Sequence, residues 1–125
     1  MARILITEDD AAVRTFVSRA LQLDGHEIVT AEDGEEALLT LKDEDGCFDL
    51  LLTDVKMPIM DGIALTYHAS RDWPALPILI MTGYADQRER AKGLEKIVRK
   101  VVTKPFSLAD IRTAVNGALS DQIAA

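Results

Sequence analysis

DLLLTDVKMPIMDG, Asp49–Gly62, is the stretch that decides the fold. Leu50 to Thr53, mostly apolar, run straight into Asp54, and Met57-Pro58 and Asp61-Gly62 follow at once. A short, continuous apolar run is what a strand covered on both faces needs, which points to a parallel sheet with helices on either side. Such a strand is a rigid stem, and the charge at its end is then held in a fixed place. Pro58 disfavours helix at Met57, so the chain leaves the strand through an open loop before Asp61-Gly62 starts a helix.

The same two kinds of segment alternate along the chain. Arg3–Thr7, Glu27–Ala31, Phe48–Thr53, Pro77–Thr82 and Val101–Thr103 read as strands. Between them, Ala11–Leu23 places Val13, Phe16, Val17, Ala20 and Leu21 on one helical stripe, and Asp24-Gly25 stops it. Asp33-Gly34 opens the next helix, through Leu41. Further helices are expected at Ile63–Arg71, Asp86–Leu94 and Leu108–Leu119, the last with Ser107 as N-cap. Five strands alternating with five helices give an α/β, doubly wound, five-stranded parallel sheet, because parallel neighbours need helical crossovers.

With 125 residues, 48% of them hydrophobic, the chain has the size of a single domain, and no separate output domain is expected within it. Its formal charge of -7 opposes binding to nucleic acid and to anionic membranes. The lone Cys47 cannot form an internal disulfide, and MARILITEDD lacks the apolar stretch of a signal peptide, so a cytoplasmic location is expected. His26 and His68 read as isolated surface or edge residues, and Trp73 as local packing.

Ligands of doubly wound sheets bind beyond the carboxyl ends of the strands. Those ends carry Glu8-Asp9-Asp10 after the first strand, Asp54 after the third, Thr82 in the fourth and Lys104-Pro105 after the fifth. Any one of these could be a cap or a solvated charge. Converging on one edge, they form a site. Two like charges about 4 Å apart cost on the order of 4 kcal/mol at an effective dielectric near 20, so facing carboxylates need a compensating cation. Hard oxygens without histidine or thiolate suit Mg²⁺, and the backbone carbonyl of Lys56 is near enough to be a further ligand. A carboxylate beside Mg²⁺, with a hydroxyl and an ammonium in reach, suits phosphoryl transfer. Asp54 would attack phosphorus, while Lys104 and Thr82 each take a phosphoryl oxygen.

TEDD, DVKMPIMDG, MTGYA and VTKPF, in this order and spacing, resemble the receiver domain of bacterial two-component response regulators, over essentially the whole chain. The resemblance implies a CheY-like, flavodoxin-like sheet of strand order 2-1-3-4-5. It makes Asp54 the phospho-acceptor and places Mg²⁺ on Asp9 directly and on Glu8 through water. Thr82 becomes the switch hydroxyl, Lys104 the phosphoryl-binding lysine and Pro105 the residue after a cis peptide bond, while Asp10 caps the first helix. Lys56 and Tyr84, two positions after Asp54 and Thr82, would tune the lifetime of the phosphoryl group. A histidine kinase or histidine phosphotransfer protein is the implied donor, and a downstream protein, met by the fourth helix, fifth strand and fifth helix, the implied partner. A monomer or weak dimer is expected. Two departures from the family stand out: Val101 occupies a position that is commonly aromatic, and KGLEKIVRKV replaces the usual Gly-Ala turn. TGYA with KVVTKPF is similar to stand-alone receivers of the CpdR type, phosphorylation-controlled adaptors of the ClpXP protease in cell-cycle control.

Two other readings compete with the switch. A Mg²⁺-dependent aspartyl-phosphate phosphatase of haloacid-dehalogenase type would use the same residue types, but such enzymes place a general acid where this chain has Lys56. An interaction module that no longer uses phosphate would have little reason to keep a set of costly buried charges.

Overall fold

The computed structural model describes residues 2–83, 89–94 and 96–124, with side chains described as far as Ser120. Five strands, β1 (Arg3–Thr7), β2 (Glu27–Ala31), β3 (Leu50–Asp54), β4 (Ile78–Thr82) and β5 (Lys100–Thr103), form one parallel sheet in the order β2-β1-β3-β4-β5. Helices α1 (Ala11–Gln22), α2 (Gly34–Asp43), α3 (Gly62–Asp72) and α4 (Leu108–Ala124) connect or follow them. The helix expected at Asp86–Leu94 falls partly outside the described residues. Within them, residues 89–91 are helical and Lys92–Leu94 tightens into a 3₁₀ turn.

β3 lies at the centre, and all five of its residues are buried. Alternate side chains enter two cores. Leu51 joins Leu5, Ile78 and Ile80 under α2 and α3, whereas Leu50 and Leu52 join Ile4, Ile6, Leu79 and Met81 under α1 and α4. Each fully buried leucine contributes roughly 1.5–3 kcal/mol relative to exposure, so the strand that ends in Asp54 is firmly anchored. The register sets Thr7 beside Thr53 and Asp54 beside Met81, which brings the strand ends to one edge of the sheet.

Helix starts at that edge are fixed by short side chains. The Asp10 carboxylate accepts from the Ala12 and Val13 N–H groups at 2.9 and 3.2 Å, Asp33 from Glu36 N at 2.8 Å, and Asp61 from Ala64 N at 2.9 Å. Ser107 and Asp110 cap α4 reciprocally, each accepting from the other's backbone N–H at 3.0 Å. Gly25, at φ +84°, makes the left-handed turn after α1. Trp73 packs against Gly46 as local structure, and Cys47 is a free, exposed thiol. His26 accepts from the Ala2 N–H at 3.0 Å. Among the described residues no helix is long and apolar enough to cross a membrane.

Candidate phosphoryl and metal site

β1 and β3 deliver Glu8, Asp9 and Asp54 to one cluster, in which one carboxylate oxygen from each lies within 4.8 Å of the others. Glu8 is wholly buried, Asp54 nearly so, and Asp9 is exposed. The cleft above them encloses about 490 Å³ and is lined also by Lys56, Gly83, Lys104 and Pro105.

Lys104 bridges the two buried acids, its Nζ donating to Glu8 Oε1 at 2.8 Å and to Asp54 Oδ2 at 3.1 Å. Asp54 Oδ1 accepts from the Val55 N–H at 2.9 Å, which fixes the carboxylate plane and turns Oδ2 toward the lysine. Burial, and after it the hydrogen bond with Asp54, push the Glu8 carboxyl from 4.5 up to about 8 against the pull of Lys104. Burial also draws the Lys104 ammonium down, but the contacts with Glu8 and Asp54 outweigh it and hold its pKa above the ordinary value. One ammonium therefore compensates this acidic cluster only in part.

Glu8 Oε2, in the cluster, and Thr82 Oγ1, at the end of β4, are buried and lack a hydrogen-bond partner among the described residues. A buried polar atom left unpaired costs about 1–3 kcal/mol, so each is notable. An orphaned carboxylate oxygen beside two further acids fits a hard divalent cation, and the oxygen-only donor set fits Mg²⁺. Thr82 ends β4, the strand adjacent to Asp54, and its carbonyl accepts from the Lys104 N–H at 2.6 Å. The two strand ends that bear the hydroxyl and the lysine are thereby joined.

The sequence-predicted residues Glu8, Asp9, Asp54, Thr82 and Lys104 are brought to this edge. Lys56 lines the cleft with its side chain exposed, and the Lys104-Pro105 peptide is cis as expected. Tyr84 lies outside the described residues. Three supporting contacts have no local sequence signal. Arg14 donates to the Glu8 carbonyl at 2.8 Å. Arg90 reaches the α3 cap Asp61 at 2.5 Å. Although burial raises its pKa, Asp61 is held below the usual carboxylate value by the Ala64 N–H and by Arg90. Gly62, readable from sequence only as a helix start, packs its Cα so tightly on β3 that an added Cβ would lie 1.8 Å from the Asp54 carbonyl oxygen.

This fold and this site define a class. The chain belongs to the response regulator receiver domain family, which it matches over residues 4–116. Its members are the receivers of two-component systems, signalling switches for which phosphorylation and Mg²⁺ binding are characteristic. Among individual relatives, the chain is 39% identical over 111 residues to the response regulator receiver protein CpdR of Brucella abortus, covering 89% of this chain and 91% of that protein. It is 32% identical over 117 residues to the alkaline phosphatase synthesis transcriptional regulatory protein PhoP of Bacillus subtilis, covering 94% of this chain and 48% of that protein. The chain thus spans about half the length of that relative and nearly all of the first. A CheY-like receiver from Methanospirillum hungatei superposes with a TM-score of 0.88 at 28% identity, covering 99% of this chain and 98% of the other.

Proposed function

We propose that this protein is a phosphorylation switch whose acceptor is Asp54. The observation that carries the reading is the pairing of a fixed, buried Asp54 with Lys104 at 3.1 Å, at an edge where β4 ends in Thr82 with an unpartnered hydroxyl. Asp54 Oδ2 attacks the phosphorus of a phosphohistidine on a kinase or phosphotransfer protein. The P–N bond breaks, and its electron pair stays with the imidazole nitrogen, which takes a proton from solvent. Lys104 exchanges its contact with Asp54 for one with a phosphoryl oxygen. Thr82 donates to another, giving its buried hydroxyl a partner only in the phosphorylated state. Mg²⁺, held by Glu8, Asp9, Asp54 and the Lys56 carbonyl, would neutralise charge on the phosphoryl group. Lys56 at the mouth of the cleft, and Tyr84, govern access of the water that hydrolyses the acyl phosphate.

A switch acts only through a partner that binds its two states with different affinity. The likeness to CpdR over nearly the whole of both chains supports a protein-binding adaptor in the cytoplasm, with a protease of the ClpXP type as candidate partner. Intact mass after incubation with acetyl phosphate and Mg²⁺ tests the chemistry. One added phosphoryl group, absent in Asp54→Ala and in chelator, is the expected result. An adduct that survives Asp54→Ala would overturn the assignment.

A further inference from the structure

Within the acidic cluster, Glu8 and Asp54 are both held by Lys104, whereas the exposed Asp9 carboxylate has no hydrogen bond or ion pair among the described residues. Its position therefore rests on the backbone to either side. On the carboxyl side, Asp10 is fixed by its cap on the Ala12 and Val13 N–H groups. On the amino side lies the Glu8-Asp9 peptide, whose carbonyl accepts from Arg14 Nη1 at 2.8 Å. The Glu8 N–H donates to the Ala31 carbonyl at 3.1 Å, so Glu8 is held at both ends of its backbone.

Two features set Arg14 apart from a solvated surface charge. It stands near the amino end of α1, where a cation opposes the helix dipole. It also precedes the buried Val17 and Leu21 by one and two turns, on the face turned to the sheet, and its side chain is only 19% exposed. Its second partner does not explain this placement. Glu32 is 69% exposed with its Oε1 3.5 Å from Arg14 Nη2, and an exposed ion pair of that length contributes little. The charge-assisted bond to the carbonyl of the buried Glu8 is the stronger contact.

We propose that Arg14 is a positioning residue for the metal: its guanidinium orients the Glu8-Asp9 peptide so that the Asp9 carboxylate stays beside those of Glu8 and Asp54. The inference rests on the metal site of the proposed function and adds to it a residue that does not line the cleft. Charge and position pull in opposite directions here. As a cation Arg14 repels Mg²⁺, so if charge alone mattered its removal would tighten binding. As the group that holds the peptide, its removal frees Asp9 and weakens binding. Water at the exposed Asp9 screens the repulsion, whereas loss of an orienting contact behind a metal ligand typically costs roughly ten- to a hundredfold in affinity. Position therefore outweighs charge.

Amide shifts of ¹⁵N-labelled protein titrated with Mg²⁺ at fixed pH give the dissociation constant. R14M, which keeps the apolar stem, should raise it about tenfold or more. R14K, which keeps the charge and a donor but not the planar fork, should recover part of that loss. R19M, which removes a cation from the last turn of α1, and E32Q should each leave the constant within about twofold of the wild type. Phosphoryl uptake from acetyl phosphate, read by intact mass, should need more Mg²⁺ in R14M yet reach the wild-type rate at saturation, a split that a mere loss of stability would not produce. Tighter Mg²⁺ binding by R14M would leave only its charge at work, and an unchanged constant would mean that Asp9 is held without it; either result overturns the proposal. Wild-type protein with no saturable shift would instead overturn the Mg²⁺ site of the proposed function, and this inference with it.

Discussion

Glu8 is the residue at which burial and charge meet within the acidic group that could hold a metal. Its folded pKa of about 8 lies above the ordinary 4.5, so between these values the folded state holds a proton that the unfolded state has lost. Stability contributed by this group is fully present below about pH 4.5 and is lost as pH rises through 8. Metal-free protein should therefore show a urea midpoint that falls from pH 5.5 to pH 8, and Glu8→Gln should flatten that fall. A divalent cation displaces the same proton, so Mg²⁺ should raise the midpoint more at pH 8 than at pH 6. A midpoint in chelator that is independent of pH, or equal Mg²⁺ stabilisation at both pH values, would remove Glu8 from this role. Lys104 does not reverse the sign, because a single ammonium shared by Glu8 and Asp54 offsets only part of the cost of burying them.

Elements position the site through contacts of two kinds, and they differ in how far sequence exposes them. The strand ends and helix starts are local: an apolar run that stops at Asp54, or Asp61 just before Gly62, carries its own signal, and the structure moves those boundaries by only one or two residues, whereas the last helix, expected to end at Leu119, runs on to Ala124. The contacts that lock the elements together join distant positions and carry none. Arg112 Nε meets both oxygens of Asp24 at 3.0 Å across 88 residues, and Arg90 meets Asp61 across 29. Gly62 belongs to this second kind. An alanine there would drive its Cβ into the Asp54 carbonyl, and only separation of α3 from β3 relieves the clash. Gly62→Ala should cost about 1–3 kcal/mol in urea melts and slow phosphoryl uptake as Asp54 shifts. Unchanged stability and uptake would show that α3 can slide freely. The loop between β3 and α3 contains the opposite case. Ile59, exposed and β-branched, sits at φ +70°, a conformation that suits glycine or asparagine. Ile59→Gly should leave stability unchanged or raise it by up to about 1 kcal/mol, measured by the urea midpoint, despite removing a whole side chain. A clear loss would mean that Ile59 makes contacts outweighing its backbone strain.

At the scale of the whole molecule, the sheet separates the tasks. The carboxyl ends of the strands hold Asp54 and the acidic cluster, and the amino ends of β4 and β5 lie at the opposite edge. β4 and β5 pair side by side between these edges, so under the proposed switch a movement begun at Thr82 would pass along this strand pair. Val101, in register with Ile80, stands at the position where the family resemblance leads one to expect an aromatic residue, so the proposed switch would rest on the strand pair itself. The proposed switch makes Thr82 the residue to test. In the unmodified protein its hydroxyl is buried and unpartnered, so Thr82→Ala removes an unsatisfied group and should cost little or even stabilise by up to about 1 kcal/mol. The phosphorylated protein should respond in the other direction. There the hydroxyl gains its partner, and the alanine variant should accept phosphoryl on Asp54 yet lose the accompanying change in β4 and β5. Hydrogen exchange of the β4 and β5 amides, with and without acetyl phosphate and Mg²⁺, separates the two effects. Protection that changes on phosphorylation in the wild type but not in Thr82→Ala would place the hydroxyl between the chemistry and the rest of the fold. An equal change in both would leave Lys104, already bonded to the Thr82 carbonyl, as the group that carries the signal.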